Sequence, residues 1–179
     1  MLHRHRGGSL QGASRLLPTL CAVLIGLGAQ TACSRHTVLD GTLESPRAVA
    51  TAVVDALSRK DLAALERLAV GEAEFQHLVW PKQPAARPGR NIPWDYAWKD
   101  LASKSRMQLR GRLNEWPDRG FTLVEVTFEG DTTDYETYRI FRKSVVTLRD
   151  RDGQVTRARI FGSLIEQDGR YKVFSYLVD

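Results

Sequence analysis

Apolar residues along the chain keep one spacing up to about residue 101 and another beyond residue 105. From Ser45 the spacing is helical. Ser45 can cap a helix, and Pro46 can take its first position, where a missing N–H costs nothing. Val49, Val53, Ala56 and Leu57 then fall at i, i+4, i+7 and i+8, which makes one buried stripe. A break at Ser58-Arg59-Lys60 leads to Asp61, a second N-cap. Leu62, Leu65, Leu68 and Ala69 form the next stripe, and Gly71 is placed to end it. A short third helix is predicted over 72–79. Residues 80–93, WPKQPAARPGRNIP, hold four prolines and one glycine, which predicts a long irregular loop. After Pro93 the helical spacing returns in Trp94, Ala97, Trp98 and Leu101.

Beyond Ser105 the period changes to two. Met107, Leu109, Gly111 and Leu113 alternate with Gln108, Arg110 and Arg112, which predicts a first strand. The sequence WPDRG (116–120) predicts a turn, and Val124, Val126 and Phe128 a second strand. Residues 129–134 predict a loop. Tyr138, Ile140, Val145, Val146 and Leu148 predict one long third strand, bulged between Phe141 and Ser144. A turn at 151–153 precedes a fourth strand over 155–166. Asp168-Gly169 predicts a hairpin whose central residues both take positive φ, and Tyr171 to Val178 close the sheet. Helices followed by about five antiparallel strands predict an α+β domain, with the helices packed on one face of a curved sheet. The chain shows no internal repeat.

The first 32 residues follow a third pattern. MLHRHRGGSLQGASR is basic and free of acids. The apolar run LLPTLCAVLIGLGA (16–29) is shorter than the roughly 20 residues a membrane-crossing helix needs. A basic start, a short apolar run and small residues at its end predict a cleavable signal peptide over residues 1–32. Ala29-Gln30-Thr31-Ala32-Cys33-Ser34 resembles the bacterial lipobox, in which small residues precede a cysteine that receives a diacylglycerol thioether. Thr31 and Ala32 match it; Gln30 stands where an apolar residue is usual. The resemblance implies that Cys33 is the lipidated first residue of the mature protein. It makes residues 34–44, SRHTVLDGTLE, a polar tether, so the layout is leader 1–32, lipidated cysteine and tether 33–45, domain 46–179. By resemblance to enterobacterial lipoprotein sorting, Ser34 after the cysteine implies the outer membrane, facing the periplasm. The alternative is ordinary cleavage after Ala32 and a secreted domain.

Composition changes this picture in two respects. Apolar residues make up 42% of the 179 and charged residues 26%, as in an ordinary globular domain. The net charge of +5 and pI near 9.5 invite a nucleic-acid reading. Arg4, Arg6 and Arg15 leave with the leader, however, which takes three from the 26 basic residues against 21 acidic ones, and the excess falls to +2. A near-neutral domain without a dense Lys/Arg block excludes nucleic acid on charge grounds. Cys21 also leaves, so Cys33 has no partner for an intramolecular disulfide.

The helix–break–helix segment Ala56-Leu57-Ser58-Arg59-Lys60-Asp61-Leu62-Ala63-Ala64-Leu65, followed by a meander ending in Gly169-Arg170-Tyr171-Lys172-Val173, resembles the NTF2-like group. The likeness covers roughly residues 46–178 and rests on an order of elements, not on a catalytic motif. It implies a cone-shaped α+β fold that hosts isomerases, dehydratases, cyclases and non-enzymatic binding modules. Enzymes of the group place an Asp or His base with a partner inside the cone. Here His77 on the third helix is the catalytic candidate, with His36 the one other histidine beyond the leader; Asp55 falls on the polar side of the first helix.

No phosphate-binding glycine loop, zinc spacing, GxSxG elbow or HExxH is present, and no cofactor or metal is expected. Trp80, Trp94, Tyr96 and Trp98 fall within nineteen residues around the Pro-rich segment, and could wall a pocket or a partner surface. Trp94 and Trp98 equally suit the core stripe of their helix. Arg139, Arg142, Lys143, Arg149, Arg157 and Arg159 load the third and fourth strands with positive charge. Arg157 and Arg159, on one face, could meet an anionic head group, a glycan or an acidic partner; Glu125, Glu129 and Glu136 could equally balance them. The sequence thus supports a lipid-anchored envelope protein, with a non-catalytic module that binds a small apolar ligand or an envelope protein. The alternatives are an isomerase or lyase of the cone type, and an assembly factor using the sheet face.

Overall fold

The computed structural model describes residues 38–90 and 92–178, all within one compact unit spanning Arg35–Asp179. The expected leader, Gln30, Cys33, Ser34 and His36 lie outside the described residues. Among the described residues no helix is long and apolar enough to cross a membrane.

The first helix, α1 (Pro46–Ser58), starts as its sequence dictates. The Ser45 hydroxyl accepts from the Ala48 N–H at 3.1 Å, Pro46 fills the first turn, and Val49, Val53, Ala56 and Leu57 are all buried. Asp55 is exposed on its outer side. Asp61 caps α2 (Leu62–Arg67) through a 2.9 Å bond from the Ala64 N–H. Gly71 does not end α2 as expected. Its φ is −89°, and it starts α3 (Glu72–Glu74), whose Glu74 carboxylate reaches back to the Gly71 N–H at 2.7 Å. A π-helical turn over Phe75–Val79 carries α3 on, in accord with the expected helix at 72–79. The Pro-rich segment is less irregular than its composition predicts, since Trp80–Lys82 and Pro84–Ala86 form 3-10 turns.

Helix α4 (Trp94–Glu115) is the main correction to the sequence reading. The alternation over Met107–Leu113, which predicts a strand, lies in its second half. Leu101, Ser105, Leu109 and Leu113 make a stripe at i+4 spacing along the same helix. No Val, Ile or Thr occurs in 94–115, so no β-branched residue there favours an extended backbone. Asp95–Lys99 (3.1 Å) and Asp100–Lys104 (2.8 Å) add ion pairs one turn apart, acid first.

Among the described residues seven strands follow, not five: β1 (Thr122–Phe128), β2 (Thr132–Asp134), β3 (Arg139–Arg142), β4 (Ser144–Arg149), β5 (Val155–Ala158), β6 (Ser163–Gln167) and β7 (Arg170–Ser175). They form two antiparallel sheets, ordered β1-β4-β5 and β2-β3-β6-β7. The expected loop at 129–134 contains β2. The expected long third strand is β3 and β4, divided at Lys143, whose φ of 53° turns the chain from one sheet to the other. The expected fourth strand likewise divides into β5 and β6. Asp168 and Gly169 do take positive φ, at 52° and 74°, in the β6–β7 hairpin. A bulge between Leu123 and Glu125 turns Val124 to solvent, while Leu123, Val126 and Phe128 pack inward.

Two apolar clusters hold these layers. One joins α1, Leu65, Leu109, β1 and β4 to Leu164, Val173 and Tyr176. The other joins Leu39, Val70, Phe75, Leu78 and Val79 to Tyr138, Ile140 and Ile165, with Trp98 and Leu101 packed against it. The β3-β6-β7 strands are therefore apolar on both faces, as a doubly covered sheet requires.

Residues 38–44, read from the sequence as part of the tether, are bound to the domain. Leu39 is buried, and its N–H donates to Gln167 at 2.8 Å. Leu43 pairs with Tyr171 through two backbone bonds of 2.8 and 2.7 Å. Farther along, the Val70 N–H and the Leu68 carbonyl bond to Val173. Together these segments cover the outer edge of β7, a strand that would otherwise expose unpaired backbone groups.

Candidate functional site

A cavity of about 200 Å³ lies between α4, the α2–α3 connection and β7. Trp98, Leu101, Ala102, Ser105 and Leu109 of α4 form one wall. Ala69, Val70 and Gly71 form a second, and Phe174 and Tyr176 a third. Each wall has a local cause. The i+4 stripe of α4 aims one row of side chains at β7. The register of β6 and β7 slips between Ser163 and Leu164, leaving Phe174 as the extra residue of a bulge. The Ser105 hydroxyl accepts from the Tyr176 N–H at 2.9 Å, which ties α4 to the end of β7.

The polar groups around this cavity are spoken for. The Tyr176 hydroxyl donates to the Leu65 carbonyl at 2.7 Å, and burial pushes its pKa up, so it stays protonated and acts as a strut rather than a base. Glu66 and Arg106 stand at the mouth, 3.5 Å apart and both well exposed. The remaining lining is apolar apart from Ser105 and the Gly71 backbone.

Of the residues singled out from the sequence, Trp98 borders the cavity. Its ring centroid is 5.3 Å from that of Phe75, so it serves both as core and as cavity wall. Trp80 lies 5.9 Å from the same ring and does not line the cavity. Trp94 is half-buried at the start of α4, and Tyr96 is 68% exposed. His77 is exposed on the π-helical turn, away from the cavity. Arg157 and Arg159 both bond to Glu129, at 2.9 and 3.2 Å, and Glu129 is held below the usual carboxylate range by its bond to Arg159 first and by Arg157 in addition. Among the described residues no three His, Cys, Asp or Glu side chains gather to hold a metal.

Sequence reasoning missed Ser105, Arg106 and Leu109, because it ended the helix too early. It also missed Phe174 and Tyr176. Their apolar character was visible in the final strand, but their approach to α4 is a tertiary fact.

Beside this cavity the domain carries a second polar system. Lys172, only 6% exposed, donates to both oxygens of Glu74 at 3.0 Å. Glu74 also accepts from the N–H groups of Asp40 and Gly71. Nearby, Glu166 is buried on β6. Burial raises its pKa, but the bonds from Arg139 and the Gly169 N–H outweigh that and hold the carboxylate below its usual range. On the other side of the sheet, the Tyr138 hydroxyl donates to the Val79 carbonyl and accepts from the Gln83 amide, which pins the Pro-rich segment.

No family model, curated protein or solved structure matches the chain.

Proposed function

We propose that this chain is an exported protein, anchored in the cell envelope through a lipid on Cys33, whose domain is a non-catalytic module that binds a small apolar ligand. The cavity between α4 and β7 carries the binding half of this reading. It is concave, lined by Trp98, Leu101, Leu109 and Phe174, and has few polar groups, as small-molecule sites do. The basic start, short apolar run and small-small-Cys ending of residues 1–33 support the anchor. An NTF2-like cone suits the two sheets, which are joined by chain crossings at 143 and 159–162 and packed on helices from both core clusters.

An isomerase or lyase would need two titratable groups converging where substrate sits. The charged side chains of this cavity, Glu66 and Arg106, face one another at its mouth instead, which favours binding over turnover.

Binding of a hydrophobic fluorescent probe such as N-phenyl-1-naphthylamine tests the module. The purified protein is expected to bind it saturably. Ala102→Phe, which puts a ring into the cavity from half-exposed helix surface, is expected to weaken binding about tenfold while barely moving the melting temperature. A wild-type protein that takes up no probe overturns the reading. The anchor is tested separately by intact mass. Protein extracted from membranes is expected to begin at Cys33 with added diacylglycerol and acyl mass, and an unmodified amino terminus there would refute the lipid.

A further inference from the structure

A second cavity, of about 190 Å³, lies on the other side of Leu101 and Phe174, which border both. It opens where the chain passes between sheets, with Lys143 from the β3–β4 crossing and Gly162 from the β5–β6 crossing in its wall. Its apolar surface comes from Phe161, Leu177 and Val178 together with the two shared side chains.

Its charge is one-sided. Among the described residues Arg142, Lys143 and Arg159 line it, and no Asp or Glu does. Arg159 is bonded to Glu129, which stands outside the lining. Lys143 forms no ion pair among the described residues, and the hydrogen bond of Arg142 is a long one, 3.4 Å to the Tyr135 hydroxyl. Arg142 is the cross-strand partner of Ser163, and Ser163 of Ser175, so the three side chains leave the β3-β6-β7 sheet as one row on one face. The hydroxyls of Ser163 and Ser175 make no hydrogen bond among the described residues, although both residues are buried. Two cations and two hydroxyl donors at the edge of an apolar cavity suit the binding of an anion. The apolar wall behind it calls for a ligand with a tail.

We propose that this pocket takes the carboxylate of a medium-chain amphipathic acid. Arg142, Lys143, Ser163 and Ser175 hold the head, and the alkyl chain passes along Leu101 and Phe174 toward the first cavity. The head site stands on its own residues. The course of the tail rests on the apolar-ligand reading above.

Titration calorimetry of the purified protein with decanoate, and separately with 1-decanol, tests both parts. Decanoate is expected to bind about tenfold more tightly than the alcohol. Lys143→Asn and Arg142→Gln are each expected to weaken decanoate about tenfold and to leave decanol unchanged. Asn tolerates the positive φ of position 143, so the first variant keeps the sheet crossing. Ala102→Phe should weaken both ligands. Equal binding of acid and alcohol, indifferent to the charge variants, overturns the anion site and leaves the apolar cavity standing. Decanoate binding that is lost in the charge variants, with no decanol binding at all, keeps the anion site and overturns the apolar reading.

Discussion

Gly162→Ala is expected to lower the stability of the domain by about 3 kcal/mol, and its melting temperature by roughly 10 °C. Gly162 sits at the crossing from β5 to β6 and bonds on both sides. Its N–H donates to the Ser175 carbonyl at 3.0 Å, and its carbonyl accepts from the Ser144 N–H at 3.1 Å. A Cβ at this position would overlap the Leu177 carbonyl oxygen and come within 2.8 Å of the carbonyl carbon. The obstacle is backbone rather than a side-chain tip, so it cannot swing aside. Either the segment after β7 moves, taking Tyr176 and its bond to Leu65 with it, or the β4–β7 connection breaks. Thermal unfolding by circular dichroism measures the cost. A loss under about 1 kcal/mol would mean that residues 176–178 shift without penalty, against the packing described.

Glu74→Ala is expected to cost a similar amount, about 3 to 4 kcal/mol in chemical denaturation, by a different route. The variant strands the Lys172 ammonium in a site where no other acid among the described residues is at bonding distance, and frees two backbone N–H groups that Glu74 satisfies. Removing one member of a buried pair is costly because the other charge stays buried. The double replacement Glu74→Leu with Lys172→Met should therefore recover much of the loss. If the double variant is as unstable as Glu74→Ala alone, the two N–H groups of Asp40 and Gly71 carry the effect, not the stranded charge.

The parts of the fold that could be read from sequence are those where several local signals agree. At α1 the cap, the first-turn proline and the apolar stripe all give the same answer. The Asp168-Gly169 turn needs only its own two residues. In the second half of α4 seven residues of alternation mimic a strand, and the absence of β-branched residues over twenty-two outweighs them. Leu109 and Leu113, four residues apart, equally fit the buried side of a helix, and Met107 is 68% exposed away from it. The irregularity expected between Phe141 and Ser144 is where β3 and β4 divide, but the passage from one sheet to the other there is not legible in the sequence. Lys143 holds a positive φ that lysine does not favour, and what imposes it is the surrounding sheet pairing, not its neighbours in sequence.

The candidate site shows the same split. Trp98 was found because an aromatic on a helical stripe is a local pattern. Trp94 shares that pattern and Trp80 opens the Pro-rich segment, but neither lines a cavity between α4 and β7. Arg157 and Arg159 drew notice as a charged pair, and Glu129, twenty-eight and thirty positions away, meets them both. Arg142 and Lys143 looked no different from them in sequence. Only strand register places Arg142 in line with two serines.

The clasp of residues 38–44 on β7 sets how far the domain could stand from a membrane. The chain is fixed to the domain from Leu39, so a lipid on Cys33 would leave a leash of six residues, at most about 20 Å when fully drawn out. That is shorter than the hydrocarbon core of a bilayer is thick. The domain would then ride low on the lipid surface rather than range above it, and its encounters would be with molecules in or next to that surface.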